Sequence, residues 1–174
     1  MKTKNLTIAA VLLALGSVLH LAVPGILGGM KGDLLLMMMF MAIFFNLNFG
    51  ATIAISLVAG IIAAITTTFP GGQIPSIFDK LISGIFVYLF TKIYLNKNNF
   101  NSIFMFLISF LGTIISGAVF LYAALVLYGL PGGVSFNALF ITIVLPTALI
   151  TGILSVILGN ILVKINKDFG NIKK

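Results

Sequence analysis

The sequence predicts an all-α polytopic membrane protein of six transmembrane helices, a single transmembrane domain with both termini on the cytoplasmic side. Three observations carry that reading. Hydrophobic residues make up 60% of the 174-residue chain and charged residues only 7%, whereas a soluble protein carries about 25% charged residues to meet water. The apolar residues fall in runs of helix length, separated by breaks rich in Gly, Pro and Asn. The lysines gather at three places beside those runs, and this is a topogenic pattern rather than a nucleic-acid-binding face. The net charge of +7 is therefore assigned to membrane orientation, with no nucleic acid as partner.

Each helix follows from the runs in turn. Leu6–Val23 is the first and Pro24 stops it. Its basic start resembles a signal peptide, but no A-x-A-like cleavage site precedes a polar domain, so it reads as a retained first helix. Residues 34–45 (LLLMMMFMAIFF) form a second, short helix, and NLNFG separates it from a third at 51–65. These two short segments are expected to be partly shielded by their neighbours. The fourth spans 77–95 and opens near Asp79 and Lys80; the fifth spans 102–128; the sixth spans 136–163 and carries Pro146, which is expected to kink it. A β-barrel would alternate apolar and polar residues, and these runs are apolar all round.

Orientation comes from the lysines. Lys2 and Lys4 precede the first helix, Lys92 and Lys97 sit where the fourth gives way to the fifth, and Lys164, Lys167, Lys173 and Lys174 follow the sixth. With six spans these positions share one side, which the positive-inside rule makes cytoplasmic. The opposite face holds PGILGGMKGD, TTTFPGGQIPS and GLPGGVS. Such Gly–Pro loops form defined turns whose backbone groups can serve a ligand, although turn chemistry alone would also account for any one of them. Three converging on one face point to a binding site at the outer mouth.

Asp79 and Lys80 are the most informative candidates. Ionisable residues at membrane depth are costly unless paired or hydrated, so they are functional candidates by default, with snorkelling to the interface as the plain alternative. They are expected in the first turn of the fourth helix, where adjacent residues diverge by about 100° and need not pair. Lys31 and Asp33 in the first outer loop offer further charge to a zwitterion. Gln73 and the threonines Thr66, Thr67 and Thr68 can hydrogen-bond a ligand or cap helix ends. Phe69, Tyr122, Tyr128 and Phe136 bring aromatic surface to the same face, where interfacial aromatic belts are also common. His20 is read as bonded to a neighbouring helix rather than as a catalytic group. Ala10 and Ala14 on the first helix, Ser56, Gly60 and Ala64 on the third, and Ser155 and Gly159 on the sixth are small residues four apart, a spacing that lets helices approach closely in lipid.

No enzyme motif is present. The chain has no G-x-S-x-G, H-E-x-x-H or Walker A loop, and PGGQIP lacks the G-K-[ST] ending of a phosphate loop. It has no cysteine, and one His with three acidic residues makes a metal centre a poor reading. No cofactor is expected.

MKTKNLTIAAVLLALGSVLH, GMKGD followed by LLLMMMFMAI, and above all TTTFPGGQIPSIFDK resemble the TrpP-type tryptophan transporter family, substrate-binding S-components of energy-coupling factor (ECF) transporters. The resemblance covers nearly the whole chain. It implies an S-component-like bundle in the plasma membrane of a bacterium, binding tryptophan in a pocket closed by outer loops. It also implies partners: a transmembrane coupling subunit and two ATPase subunits that hydrolyse ATP. Ala10 and Ala14 would be the docking residues. In such a pocket Lys80 or Lys31 would take the substrate carboxylate and Asp79 or Asp33 its ammonium. Gln73 or a nearby Thr would take the indole N–H, with Phe69 or Tyr122 against the ring. A vitamin such as thiamine, biotin or riboflavin, or an accessory membrane role without a ligand, stays open at this point.

Overall fold

The computed structural model describes residues 3–24, 29, 31–96 and 101–165, without the side chains of residues 3, 4 and 163–165. Among the described residues every regular element is helical: α1 (Thr3–Ala22), α2 (Leu34–Phe45), α3 (Phe49–Thr66), α4 (Gln73–Leu95), α5 (Ser102–Tyr128) and α6, residues 136–165. Five of the six are long and apolar enough to cross a membrane, and α2 is the exception. At 12 residues and about 1.5 Å per residue it falls well short of a hydrocarbon core of about 30 Å.

α2 is instead the axis of the bundle. Leu35 through Phe45 are all buried, Leu35, Met39, Phe40, Met41 and Phe44 completely so. A helix that is apolar on every side can be satisfied only by neighbours on every side; α1, α3, α4, α5 and α6 all touch it. The sequence leads one to expect a second span that is partly shielded; α2 is instead wholly enclosed, and its short partner α3 is long enough to cross the membrane. The outer helices carry the lipid-facing surface, as exposed Val18, Leu21, Ile65, Ile93 and Ile103 show.

Small residues set how closely the outer helices meet. Gly84 of α4 lies so near Ser56 of α3 that a Cβ there would overlap the Ser56 hydroxyl, and Gly60 faces the Ile77 backbone. Gly159 of α6 packs on Met105, and Ser155 is fully buried. The small residues of α3 and α6 are thus internal packing, whereas Ala10 and Ala14 lie on the exposed face of α1.

Two observed features depart from the sequence expectation. α4 begins at Gln73, four residues before Ile77, because Pro75 occupies its first turn, where the missing N–H would have had no helical partner anyway. Asp79 and Lys80 therefore stand in the second turn. In α6, residues Phe140–Val144 form a π turn, in which Leu145 N–H donates to Phe140 O, five residues back. It lies directly before Pro146, and such a widened turn is one way for a helix to accommodate proline.

The two ends of the bundle differ. At one end Asn5 Nδ2 donates to Phe45 O at 3.0 Å and Asn46 Nδ2 donates to Asn5 O at 2.8 Å, tying α1 to α2. Lys92 lies at this end, donating to the Tyr88 hydroxyl at 3.1 Å. Lys2, Lys97, Lys167, Lys173 and Lys174 lie outside the described residues, as do the side chains of Lys4 and Lys164. At the other end the Gly–Pro loops meet. Thr68 Oγ1 donates to Gly29 O at 2.6 Å, and Gly71 sits against the Tyr128 ring at φ +73°, where a side chain would collide with it.

Candidate functional site

Beneath the joined loops lies a half-open cavity, with about 570 Å³ of space not filled by protein atoms when the solvent at its mouth is included, walled by all six helices and the first two loops. Its floor is ionic. Lys80 Nζ lies 2.6 Å from Asp33 Oδ2 and 2.8 Å from Asp79 Oδ2, and Ser116 of α5 donates to the same Asp79 oxygen at 2.6 Å. Lys80 and Asp79 are 2% and 3% exposed, so neither snorkels to the interface. The long lysine side chain bridges the angular gap between adjacent helix positions, and the two residues do pair. Buried charges persist only when partnered in this way.

Asp33 joins three helices. Its Oδ1 accepts from Leu36 N at 2.9 Å and caps α2, satisfying a donor that the helix start would otherwise leave free. Its Oδ2 holds Lys80 of α4, and Oδ1 stands 3.3 Å from His20 Nδ1 of α1. Burial alone would raise the Asp33 pKa, but the Lys80 ammonium and then His20 outweigh it and hold this carboxyl well below the usual range. Lys31 faces the same space and donates to His20 O at 2.8 Å and Thr66 O at 3.1 Å, fastening the first loop to α1 and α3. Burial lowers its pKa, partly offset by Asp33.

The opposite wall is apolar and aromatic. Phe69 and Phe120 meet edge to face with ring centroids 5.2 Å apart, and both line the cavity with Ile143 and Val144 from the π turn. Leu130 and Val134 of the third loop pack behind the Phe69–Phe120 cluster. A charged floor facing an aromatic wall suits a ligand with a zwitterionic head and a flat apolar body.

The structure brings Lys31, Asp33, Thr67, Phe69, Asp79 and Lys80 together around this cavity, with His20 beside them. Gln73 and Thr68 are exposed and outside its lining, Gln73 at the start of α4 and Thr68 on the first loop's carbonyl. Tyr122 is 66% exposed and borders a wholly apolar groove on the outer surface, with Phe78, Ile82 and Phe136. Ser116, Phe120, Thr113 and Thr147 line the cavity without having been singled out from the sequence. The signal was there: Thr113, Ser116 and Phe120 recur at helical spacing in α5 and define one face. Among the described residues no group of His, Asp or Glu is placed to hold a metal ion.

The family model described as "Tryptophan transporter TrpP" matches residues 2–167. A "Probable tryptophan transport protein" of Clostridium acetobutylicum is 44% identical over 158 residues, 91% of either chain. One of Bacillus subtilis is 43% identical over 158 residues, 91% of this chain and 90% of its own. A third, of Clostridium perfringens, is 37% identical over 171 residues, 93% of this chain and 92% of its own. No solved structure matches the chain.

Proposed function

The chain belongs to the TrpP tryptophan transporter family, and from that premise we propose that it binds tryptophan in the cavity beneath the loops and serves as the S-component of an ECF importer. The observation that carries this is the Asp33–Lys80–Asp79 cluster facing the Phe69–Phe120 pair across one cavity. The amino-acid head needs one cationic and one anionic partner, and the indole needs an apolar wall; both are present within one enclosure. The charged floor favours an amino acid over a vitamin whose recognition would rest on its ring alone.

The loop end faces outward in this reading and the termini lie in the cytoplasm of a bacterial cell, supported by eight of the ten lysines falling on the opposite side in sequence. Substrate carboxylate is held by Lys80 or Lys31 and the ring rests on Phe69. Ala10 and Ala14, exposed on α1, form the docking surface for the transmembrane coupling subunit. Two ATPase subunits supply the ATP hydrolysis for which this chain has no motif.

Radiolabelled tryptophan binding to the purified protein tests the reading, with thiamine, biotin and riboflavin as competitors. Saturable binding displaced by unlabelled tryptophan and by no vitamin is expected. Displacement by a vitamin at lower concentration than tryptophan would reassign the substrate. Cellular uptake that persists without any ECF coupling subunit would remove the S-component role.

A further inference from the structure

The four charged residues of the cavity are not equally free to meet a ligand. Asp33 has both oxygens committed: Oδ1 accepts from Leu36 N at 2.9 Å and Oδ2 holds Lys80 Nζ at 2.6 Å. Lys31 has given two of its three N–H groups to backbone carbonyls. Lys80 is shared between two carboxylates. Asp79 differs. Its Oδ2 accepts from both Lys80 and Ser116, while its Oδ1 is buried with no hydrogen-bond partner among the described residues.

An unsatisfied carboxylate oxygen in a residue 3% exposed is expensive, and native proteins rarely keep one without a use. Asp79 lines the cavity. Charge points the same way: the inner trio of Asp33, Asp79 and Lys80 has two carboxylates for one ammonium, and the second cation, Lys31, is fastened to the backbone carbonyls of α1 and α3. The vacancy in this network is for a donor that carries positive charge.

Resting on the reading of the cavity as an amino-acid site, we propose that Asp79 Oδ1 is the seat of the ligand's ammonium group, and that Asp33 is a positioning residue that holds Lys80 and the start of α2. Ser116 and Lys80 fix the Asp79 carboxylate through Oδ2, leaving Oδ1 presented to the ligand. The amine is then the part of the head group that the site selects most strongly. The carboxylate is held by donors that already have other partners, Lys31 and Lys80.

The two halves of the tryptophan head separate this from alternatives. Tryptamine keeps the amine and lacks the carboxylate; indole-3-propionate does the reverse. In competition against radiolabelled tryptophan on the full-length protein, tryptamine displaces the label at a concentration about tenfold or more below that required of indole-3-propionate, as expected for a charge-assisted bond to a buried carboxylate. Asp79→Asn loses tryptophan affinity by about tenfold or more and no longer distinguishes the two analogues. Ser116→Ala, which leaves the carboxylate in place but less fixed, keeps the preference for tryptamine. Indole-3-propionate competing as well as tryptamine on the wild-type protein overturns the ammonium seat, and that result does not depend on any variant folding. Wild-type protein that binds no tryptophan overturns instead the transport reading on which the seat rests.

Discussion

Asp33 Oδ2 stands 2.6 Å from Lys80 Nζ, so the residue that caps the central helix also neutralises the charge at the heart of the cavity. The loop that closes the site and the helix that anchors the bundle are joined through one carboxylate. A ligand that engaged Lys80 would consequently act on the stability of the loop end as well.

The two tasks of Asp33 can be separated by substitution. Asn is as good an N-cap as Asp but carries no charge, whereas Ala can do neither. Asp33→Asn and Asp33→Ala should both lower thermal stability in detergent, with the Ala variant lower by about a further 1 kcal/mol. Equal losses would show that the cap contributes nothing.

Removing the cation should be worse than removing either anion. Lys80→Met leaves Asp33 and Asp79 facing each other without compensation, a loss of about 3–5 kcal/mol. Adding Asp79→Asn to it should recover part of that loss, because one stranded charge is then gone. A double variant no more stable than Lys80→Met alone would contradict the pairing.

Asp33 also sets an acid limb. Its carboxyl is held below the usual range by Lys80 and His20 against the upward push of burial, so the stabilisation is present above the unfolded value of about 3.9 and is lost as pH falls through the lower folded value. Melting temperatures of the wild type and Asp33→Asn should differ steadily from pH 7 to pH 5 and converge as the solution is acidified below about pH 4. A gap unchanged at the lowest pH would rule out the charge as its source.

Close packing of α3 on α4 rests on Gly84. A Cβ there collides with the Ser56 hydroxyl, so Gly84→Ala should cost about 1–3 kcal/mol by overpacking, and Ser56→Gly should rescue it. Thermal unfolding of the single and double variants measures both.

The exposed alanines of α1 should behave oppositely. Ala10→Trp and Ala14→Trp alter a lipid-facing surface and leave tryptophan binding intact, while uptake in cells falls several-fold if this face docks a coupling subunit. Full uptake by both variants would move the docking surface elsewhere.

The helical class and the six segments were legible because lipid imposes two simple demands: length and uniform apolarity. The gathering of Asp79, Lys80, Lys31 and Asp33 beneath the glycine loops was legible because charge in such a chain is rare enough to stand out. The start of α4 was not, since Pro75 reads as a loop residue until the helix is known to place it in the first turn. Nor was the Asp79–Lys80 pairing, because neighbouring positions on a helix diverge and only the reach of the lysine closes the gap. Ser116 and Phe120 were hidden for a different reason. One hydroxyl and one ring in a long apolar span look like ordinary packing until the facing helix is known. Ala10 and Ala14 shared their spacing with Ser56–Gly60 and Ser155–Gly159, and only burial separates the outer set from the inner ones.

The π turn at Phe140–Val144 governs the register of everything after it. Rewinding that turn as ordinary α-helix with all its residues kept would swing each later residue of α6 by about 100°. Ala148, now buried, would rotate toward hydrocarbon, and Ile150, now exposed, toward the interior. The extra residue held in the wide turn is therefore what keeps the polar stripe of half a helix inside, and a single-residue deletion there should leave that stripe where it is.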